Sequence, residues 1–316
     1  MSIISKVANV MQSVLTYTAD AIARKTGFIK RLRKLTGSGF VQTLVFGWLS
    51  NPTATLEELT QTAASLGISI TPQGLDKRFT QKAANFIKKV LESAVATVIA
   101  QKPVAIPVLQ RFSSVYIQDS STITLPDSLA VIYHGCGGST VKNTSSAVKT
   151  QIRLNLNTGE LLGPYLQSGK EHDQSSQLAE IPLPKGALRI ADLGYFSLSD
   201  FKDLNSQEVY WLSRVKSQCD VYYDGKRFSL LEFLEKQCQD QIDLQVLLGV
   251  KEQVDCRLLA VKVPDEVAKI RRCKLLKEAQ RKGKKASDRA LKLARFLIMS
   301  CNIPCELLSI SEAFVL

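Results

Sequence analysis

Two aspartates in this chain stand where an apolar alternation stops. In VYIQDSSTI, residues 115–123, Val115 and Ile117 alternate with Tyr116 and Gln118, and the next position on the Val115/Ile117 side is Asp119. In GALRIADLGYFS, Leu188 and Ile190 share a side with Asp192, and Gly194 then allows a sharp departure from the strand. Functional groups in α/β sheets gather at the carboxyl ends of strands. If these two strands are parallel neighbours, both carboxylates share one edge of the sheet, where like charges repel unless a cation sits between them. Mg²⁺ suits such a place, because it takes hard oxygen ligands and keeps positions open for water and phosphate oxygens. A pair of such ions about 4 Å apart stabilises the attacking and leaving oxygens of an in-line displacement at phosphorus. The competing reading is turn chemistry, since an Asp after a strand commonly closes a turn or caps a helix.

The elements that would position these residues follow from periodicity. After the strand VYIQD comes a hairpin, QIRLNLNTGELLGPYLQS, in which Ile152, Leu154 and Leu156 alternate and Asn157-Thr158-Gly159-Glu160 turns. The strand ending at Asp192 is followed by a helix from Ser197, with Asp200 at capping-box spacing, and by the strand EVYWLSRVKS. Residues 219 to about 265 hold short strand-like runs, DVYYDGKRF, DLQVLLGV and CRLLAVKVP, with a helix-like piece at Leu230–Gln237. They read as a separate small β module. A strongly basic helical stretch around Gly283 follows, which is either a solvated face or a phosphate-contacting arm. FLIMSCNIP is a strand, and ELLSISEAFVL begins a last helix.

Composition narrows the class of function. The 316 residues carry 41 Lys and Arg against 29 Asp and Glu, a formal net charge of +12, which favours a polyanionic partner over a basic protein with none. There are seven cysteines, an odd number without any Cys-x-x-Cys pair, and the opening residues lack a charged start followed by an apolar block. Reduced thiols in a cytoplasm are therefore expected rather than a disulfide framework. His134 and His172 do not sit at ligand spacing with the cysteines, which argues against structural zinc. The most apolar stretch, LESAVATVIAQKPVAIPVL, carries a Glu and a Lys and is broken by Pro103 and Pro107, so no membrane span is expected.

Residues 1 to about 105 read as helical. Thr55 with Glu58 is a capping-box pattern, Leu56, Leu59, Ala63 and Leu66 recur at helical spacing, and Gly67 stops the helix. Thr71-Pro72 opens a second helix whose buried side is assigned to Leu75 and Phe79. Helix, short turn, short helix is the helix-turn-helix layout, and Gln73, Lys77 and Arg78 are the side chains it would offer to double-stranded DNA. The basic run KRLRK at 30–34 adds to that side. A plain helical packing unit is the alternative.

Taken in order, VYIQDSSTITLP, TGELLGPYLQSGKEHDQS, LRIADLGYFS and VYWLSRVKS resemble the DDE transposases of bacterial insertion sequences, the insertion-sequence-four group. The resemblance covers essentially the whole chain and is strongest from 111 to 218. It implies an α/β fold: a helical DNA-binding region at 1–110, the first part of a ribonuclease-H-like core at 111–218, an inserted β module with a basic helical arm at 219–300, and the start of a final core helix at 301–316. It implies that Asp119 and Asp192 are catalytic ligands of Mg²⁺ or Mn²⁺, and that Arg214, with Lys216 as a weaker candidate, meets DNA phosphates. His172 and Asp173 fall in a polar turn and receive no chemistry, and Leu193 departs from the basic residue many members place there. The family's third carboxylate lies in a Tyr-x2-Arg-x3-Glu-x6-Lys string that is absent here. The chain is thus expected to stop before its own third ligand, unless Glu306 or Glu312 substitutes. The function implied is metal-dependent cleavage and strand transfer of an insertion sequence, by a dimer on DNA, in the bacterial cytoplasm with the nucleoid. The alternative is a catalytically inactive DNA-binding protein that occupies transposon ends. A stand-alone metal nuclease fits less well, because compact nucleases of this fold lack the β insertion.

Overall fold

The computed structural model describes residues 3–31, 34–101, 107–135, 146–281 and 283–316. Leu32 and Arg33 of the basic run, and Cys136, lie outside these. The chain divides into two compact units, one of Met1–Val104 with Asn157–Leu161, the other of Ala105–Leu156 with Leu162–Leu316.

The first unit is helical: α1 (Ile3–Ser13), a π-helical turn at Val14–Thr18, α2 (Ala19–Lys25), α3 (Gly37–Ser50), α4 (Leu56–Ser65), α5 (Pro72–Asp76) and α6 (Gln81–Gln101). Hydroxyl caps set the starts. Thr36 accepts from Gly39 N, Thr55 and Glu58 form a reciprocal capping box, and Thr71 accepts from Gly74 N with Pro72 in the first turn. Gly67, at φ +77°, takes the left-handed turn after α4. Phe28 stacks on Phe86 at 5.0 Å and tilts against Phe40 at 4.8 Å, and Leu59 and Leu75 are fully buried beside them. Phe79 departs from expectation. The helix ends at Asp76, and Phe79 lies beyond it, 45% exposed, with its ring 6.0 Å from that of Phe40 and 6.4 Å from that of Trp48.

The second unit is built on one ten-stranded mixed sheet, a mixed α/β architecture consistent with a ribonuclease-H-like domain. Its strands are β1 (Val115–Thr124), β2 (Ala147–Asn155), β3 (Leu161–Ser168), β4 (Leu188–Ala191), β5 (Tyr210–Arg214), β6 (Asp220–Tyr223), β7 (Lys226–Ser229), β8 (Gln241–Leu248), β9 (Val254–Lys262) and β10 (Phe296–Cys301). Their order is β3-β2-β1-β4-β5-β10-β9-β8-β6-β7. β4 runs parallel to both β1 and β5, and the crossover between β4 and β5 is α7 (Leu198–Ser206). Ser197 caps α7 by accepting from Asp200 N, and Phe201 stacks on Trp211 at 4.0 Å to fix the helix on the sheet. The runs between 219 and 262 do not stand apart as a separate module. β10 pairs with β5 on one edge and β9 on the other, so the backbone ladder carries the sheet straight into β9, β8, β6 and β7. α8 (Leu230–Lys236), the basic helix α9 (Asp265–Arg281) and α10 (Asp288–Leu293) fall between these strands, and α11 (Ile310–Ala313) follows β10.

Candidate metal and phosphate site

The pairing register brings the two aspartates together. β1 and β4 are parallel with Val115 opposite Leu188 and Gln118 opposite Ala191, and one more step sets Asp119 beside Asp192. Asp192 keeps an extended backbone (φ −68°, ψ 167°), so the alternation of β4 runs through it. β4 and β5 pair Ile190 with Leu212, and two more steps set Asp192 beside Arg214. Arg214 in turn is the register partner of Met299 in β10. Asp119, Asp192 and Arg214 thus fall in one row where three adjacent strands leave their ladders.

One detail of the expectation changes. β1 does not end at Asp119, because β2 satisfies its outer edge as far as Thr124, opposite Ala147. What ends there is the parallel ladder, since β4 stops at Ala191. Asp119 is the first residue of β1 past the reach of its inner neighbour, which leaves its carboxylate at an opening in the sheet.

Both aspartates are exposed, and neither forms an ion pair with a described residue. Asp192 precedes a short 3-10 turn at Leu193–Tyr195 without capping it through its side chain, and among the described residues the Asp119 carboxylate accepts only from the adjacent Ser120 N, at 2.8 Å. The turn-and-cap role therefore does not occupy Asp192. Two unpaired oxygen donors in one row match Mg²⁺, which binds through one or two carboxylates and keeps its other positions for water and phosphate. Among the described residues no group of three metal-ligating side chains forms. Glu312 is engaged elsewhere: Arg111 holds it at 2.9 Å and Ser309 closes a capping box with it, which together bring its carboxyl down to about 2. Glu306 is exposed, its carboxyl lowered chiefly by its own backbone N–H.

A polar network supports the row from the other side of β1. Asp173 accepts from Ser120 Oγ and pairs with Lys149, both at 2.9 Å. Its Oδ2 lies so near Gly194 that a methyl group there would stand 2.6 Å away. Close approach is the need for glycine here, since Gly194 is not among the residues with positive φ. The Tyr195 hydroxyl donates to Gln151, whose amide donates to the Asp173 carbonyl. Burial pushes Tyr195 up to about 12, with Asp173 and Asp119 adding to the effect, so the phenol stays protonated. Arg153 is buried and donates to Gln118, Ile181 O and Leu178 O. Gln151, Arg153 and Asn155, the polar half of the β2 alternation, are thus buried, while Ile152 and Leu154 are half-buried. The sequence signal for this was the run of long polar residues at every second position of β2.

Arg214 is exposed and unpaired among the described residues, whereas Lys216 spends its ammonium on Phe196 O at 3.0 Å and on that ring at 5.5 Å. In the helical unit, α5 has only five residues, about 7.5 Å of helix. Gln73 and Lys77 are exposed and Arg78 half-buried. Lys77 and Arg78 line a concavity of about 510 Å³ together with Lys30, Arg31 and Lys82, so two basic stretches far apart in sequence share one surface. Gln73 does not line it. No described helix is long and apolar enough to cross a membrane.

The chain is similar to known transposases. The transposase for insertion sequence element IS231B of Bacillus thuringiensis subsp. berliner is 27% identical over 309 residues, 90% of this chain and 64% of that protein. The IS231C transposase of the same subspecies is 26% identical over 317 residues, 93% of this chain and 65% of its own length. The IS1151 transposase of Clostridium perfringens is 29% identical over 211 residues, covering 64% of this chain and 43% of that protein. The chain therefore spans a little under two thirds of the curated relatives that match it across most of its length. The transposase DDE domain family matches residues 110–297, more than half of the chain, and the chain belongs to that family.

Proposed function

We propose that this chain is an insertion-sequence transposase acting on the phosphodiester bonds of double-stranded DNA. The observation that carries the reading is the row of Asp119, Asp192 and Arg214, two carboxylates beside a guanidinium at adjacent strands, none of them ion-paired among the described residues. Asp119 and Asp192 would hold a divalent cation, Mg²⁺ or Mn²⁺. When bound, such an ion supplies Lewis-acid polarisation of a phosphate oxygen and lowers the pKa of a bound water. Arg214 offers the planar fork that fits a phosphate, and orients the backbone against the carboxylates. The helical region 1–110 would grip DNA through Lys77, Arg78 and the neighbouring cations, with Gln73 at its edge, and Lys216 would serve mainly to fix Phe196. The core of 111–218, the insertion of 219–300 and the final segment of 301–316 would complete one catalytic face. A dimer on paired DNA ends, in the cytoplasm with the nucleoid, is the working assembly this reading calls for.

A second reading rests on a specific observation, the lack of a third ligating carboxylate among the described residues. On it, the chain binds the element's ends without cutting them. One experiment separates the two: incubation with DNA carrying the ends of its own element, with and without Mg²⁺, for the wild type, Asp119→Asn and Asp192→Asn. Mg²⁺-dependent cleavage lost in both variants supports the transposase. Binding to the ends without cleavage supports the second reading, and neither binding nor cleavage overturns both.

A further inference from the structure

A cavity of about 520 Å³ adjoins the Arg214 end of the row: Arg214 lines it, as do its register partner Met299 and Leu193, next to Asp192. Two more cations line it from α9, Arg271 and Lys274, and against them the lining carries one carboxylate, Glu278. Positions 271, 274 and 278 recur at i, i+3 and i+7, so one face of α9 is turned to the cavity.

Three observations point to a missing anion. None of the three cations forms an ion pair with a described residue. Arg271 Nη1 is buried with no hydrogen-bond acceptor among the described residues, a state proteins seldom leave uncompensated. Arg214 also lies close enough to disfavour the charge on Arg271, whose guanidinium is lowered first by burial and then by Arg214. A shared anion would relieve both the orphaned donor and the like-charge contact. The acceptor must be outside the described residues and carry concentrated negative charge, and guanidinium forks fit phosphate oxygens. The apolar part of the lining strengthens such a pairing by excluding water.

We propose that Arg271 and Lys274 of α9 join Arg214 in a phosphate-binding site that holds the DNA backbone beside the carboxylate row. This rests on the transposase reading, and it assigns the basic helix a positioning task there.

The test is duplex-DNA affinity of the full chain, by fluorescence anisotropy across a salt titration, with EDTA present so that no divalent ion contributes. Arg271→Gln/Lys274→Gln is compared with Lys269→Gln/Lys277→Gln, which removes equal charge from exposed positions of α9 outside the cavity. The cavity pair should lower the salt slope by about 2, near one for each lost phosphate contact, whatever the DNA sequence. The control pair should change it by less than about 0.5, and Arg271→Lys should keep most of the slope. Far-ultraviolet circular dichroism and thermal midpoints check that each variant folds, and if the double variant does not, Lys274→Gln alone decides the matter, with a slope lowered by about 1 expected and an unchanged slope overturning the site. Equal losses for both pairs would mean that only net charge acts, and would overturn the site while leaving the transposase reading standing. An unchanged slope in the cavity pair would overturn it too, and would favour a protein segment on the apolar floor. A wild type that binds no duplex at 50 mM salt, a condition under which phosphate contacts are strong, would overturn both.

Discussion

Adding a single methyl group at Gly194 should test how the carboxylate row is held. Gly194 does not use the left-handed region, so an alanine there would ordinarily stabilise the fold by about 0.4–1 kcal/mol through the unfolded chain. The structure calls for the opposite sign. The new Cβ would stand 2.6 Å from Asp173 Oδ2, about 0.8 Å inside the ordinary 3.4 Å contact. Asp173 cannot simply swing away, because Lys149 and Ser120 each hold it at 2.9 Å in a partly buried setting. Either those bonds break, or the turn at Leu193–Tyr195 moves and takes Asp192 with it. Losing one hydrogen bond to a charged group costs about 1.5–3 kcal/mol, so Gly194→Ala should destabilise by about 1–2 kcal/mol after the chain-entropy gain. Urea unfolding of Gly194→Ala, Asp173→Ala and the double variant reads the coupling. With the carboxylate gone the methyl has room, so the double variant should cost little more than Asp173→Ala alone, a coupling of at least about 1 kcal/mol. Additivity within about 0.5 kcal/mol, or a more stable Gly194→Ala, would refute the close approach.

Two further outcomes follow from the same structure. The Glu312 carboxyl is lowered from 4.5 to about 2, chiefly by Arg111, so its contribution to stability is full above about pH 5 and is lost as the pH falls towards 2. Urea midpoints of the wild type and Arg111→Ala should therefore differ by a constant amount near neutrality, and the gap should narrow between about pH 4.5 and 2 to what the bond from Arg111 to Leu307 O sustains; a gap that does not narrow would refute the pairing. Cys219, Cys256 and Cys301 are buried and burial raises their thiols, Cys219 to about 11, whereas Cys238, Cys273 and Cys305 are exposed. Peptide mapping after brief iodoacetamide treatment should find label on the exposed three and on the buried three only after unfolding.

Much of the framework was legible in the chain because it rests on local rules. The Thr55/Glu58 capping box, the Thr71-Pro72 helix start and the Asn157–Glu160 turn are set by residues within a few positions of each other, and they form as read. Phe79 failed for the same reason in reverse: nothing within its own stretch says that α5 stops at Asp76 and leaves the ring beyond it. The strands of 219–262 read as a separate module because pairing partners are not encoded in either strand alone, and β10, some 35 residues further on, is what joins them to the core.

Asp119 and Asp192 illustrate the division most directly. Their residue types, their places at the end of apolar alternation and the basic balance of the chain are properties of the sequence, and with the family pattern they were sufficient to name metal and DNA as candidates. That the two share a row with Arg214 was decided by the parallel register of β1, β4 and β5, which depends on side-chain packing on both faces of the sheet. The buried Gln151 and Arg153 network, the Asp173 approach to Gly194, and the meeting of Arg271 with Arg214 depend on tertiary structure alone. They join residues tens of positions apart through hydrogen bonds and charge, and such contacts leave no periodic trace in the chain, because only the folded backbone brings their partners within a few ångströms.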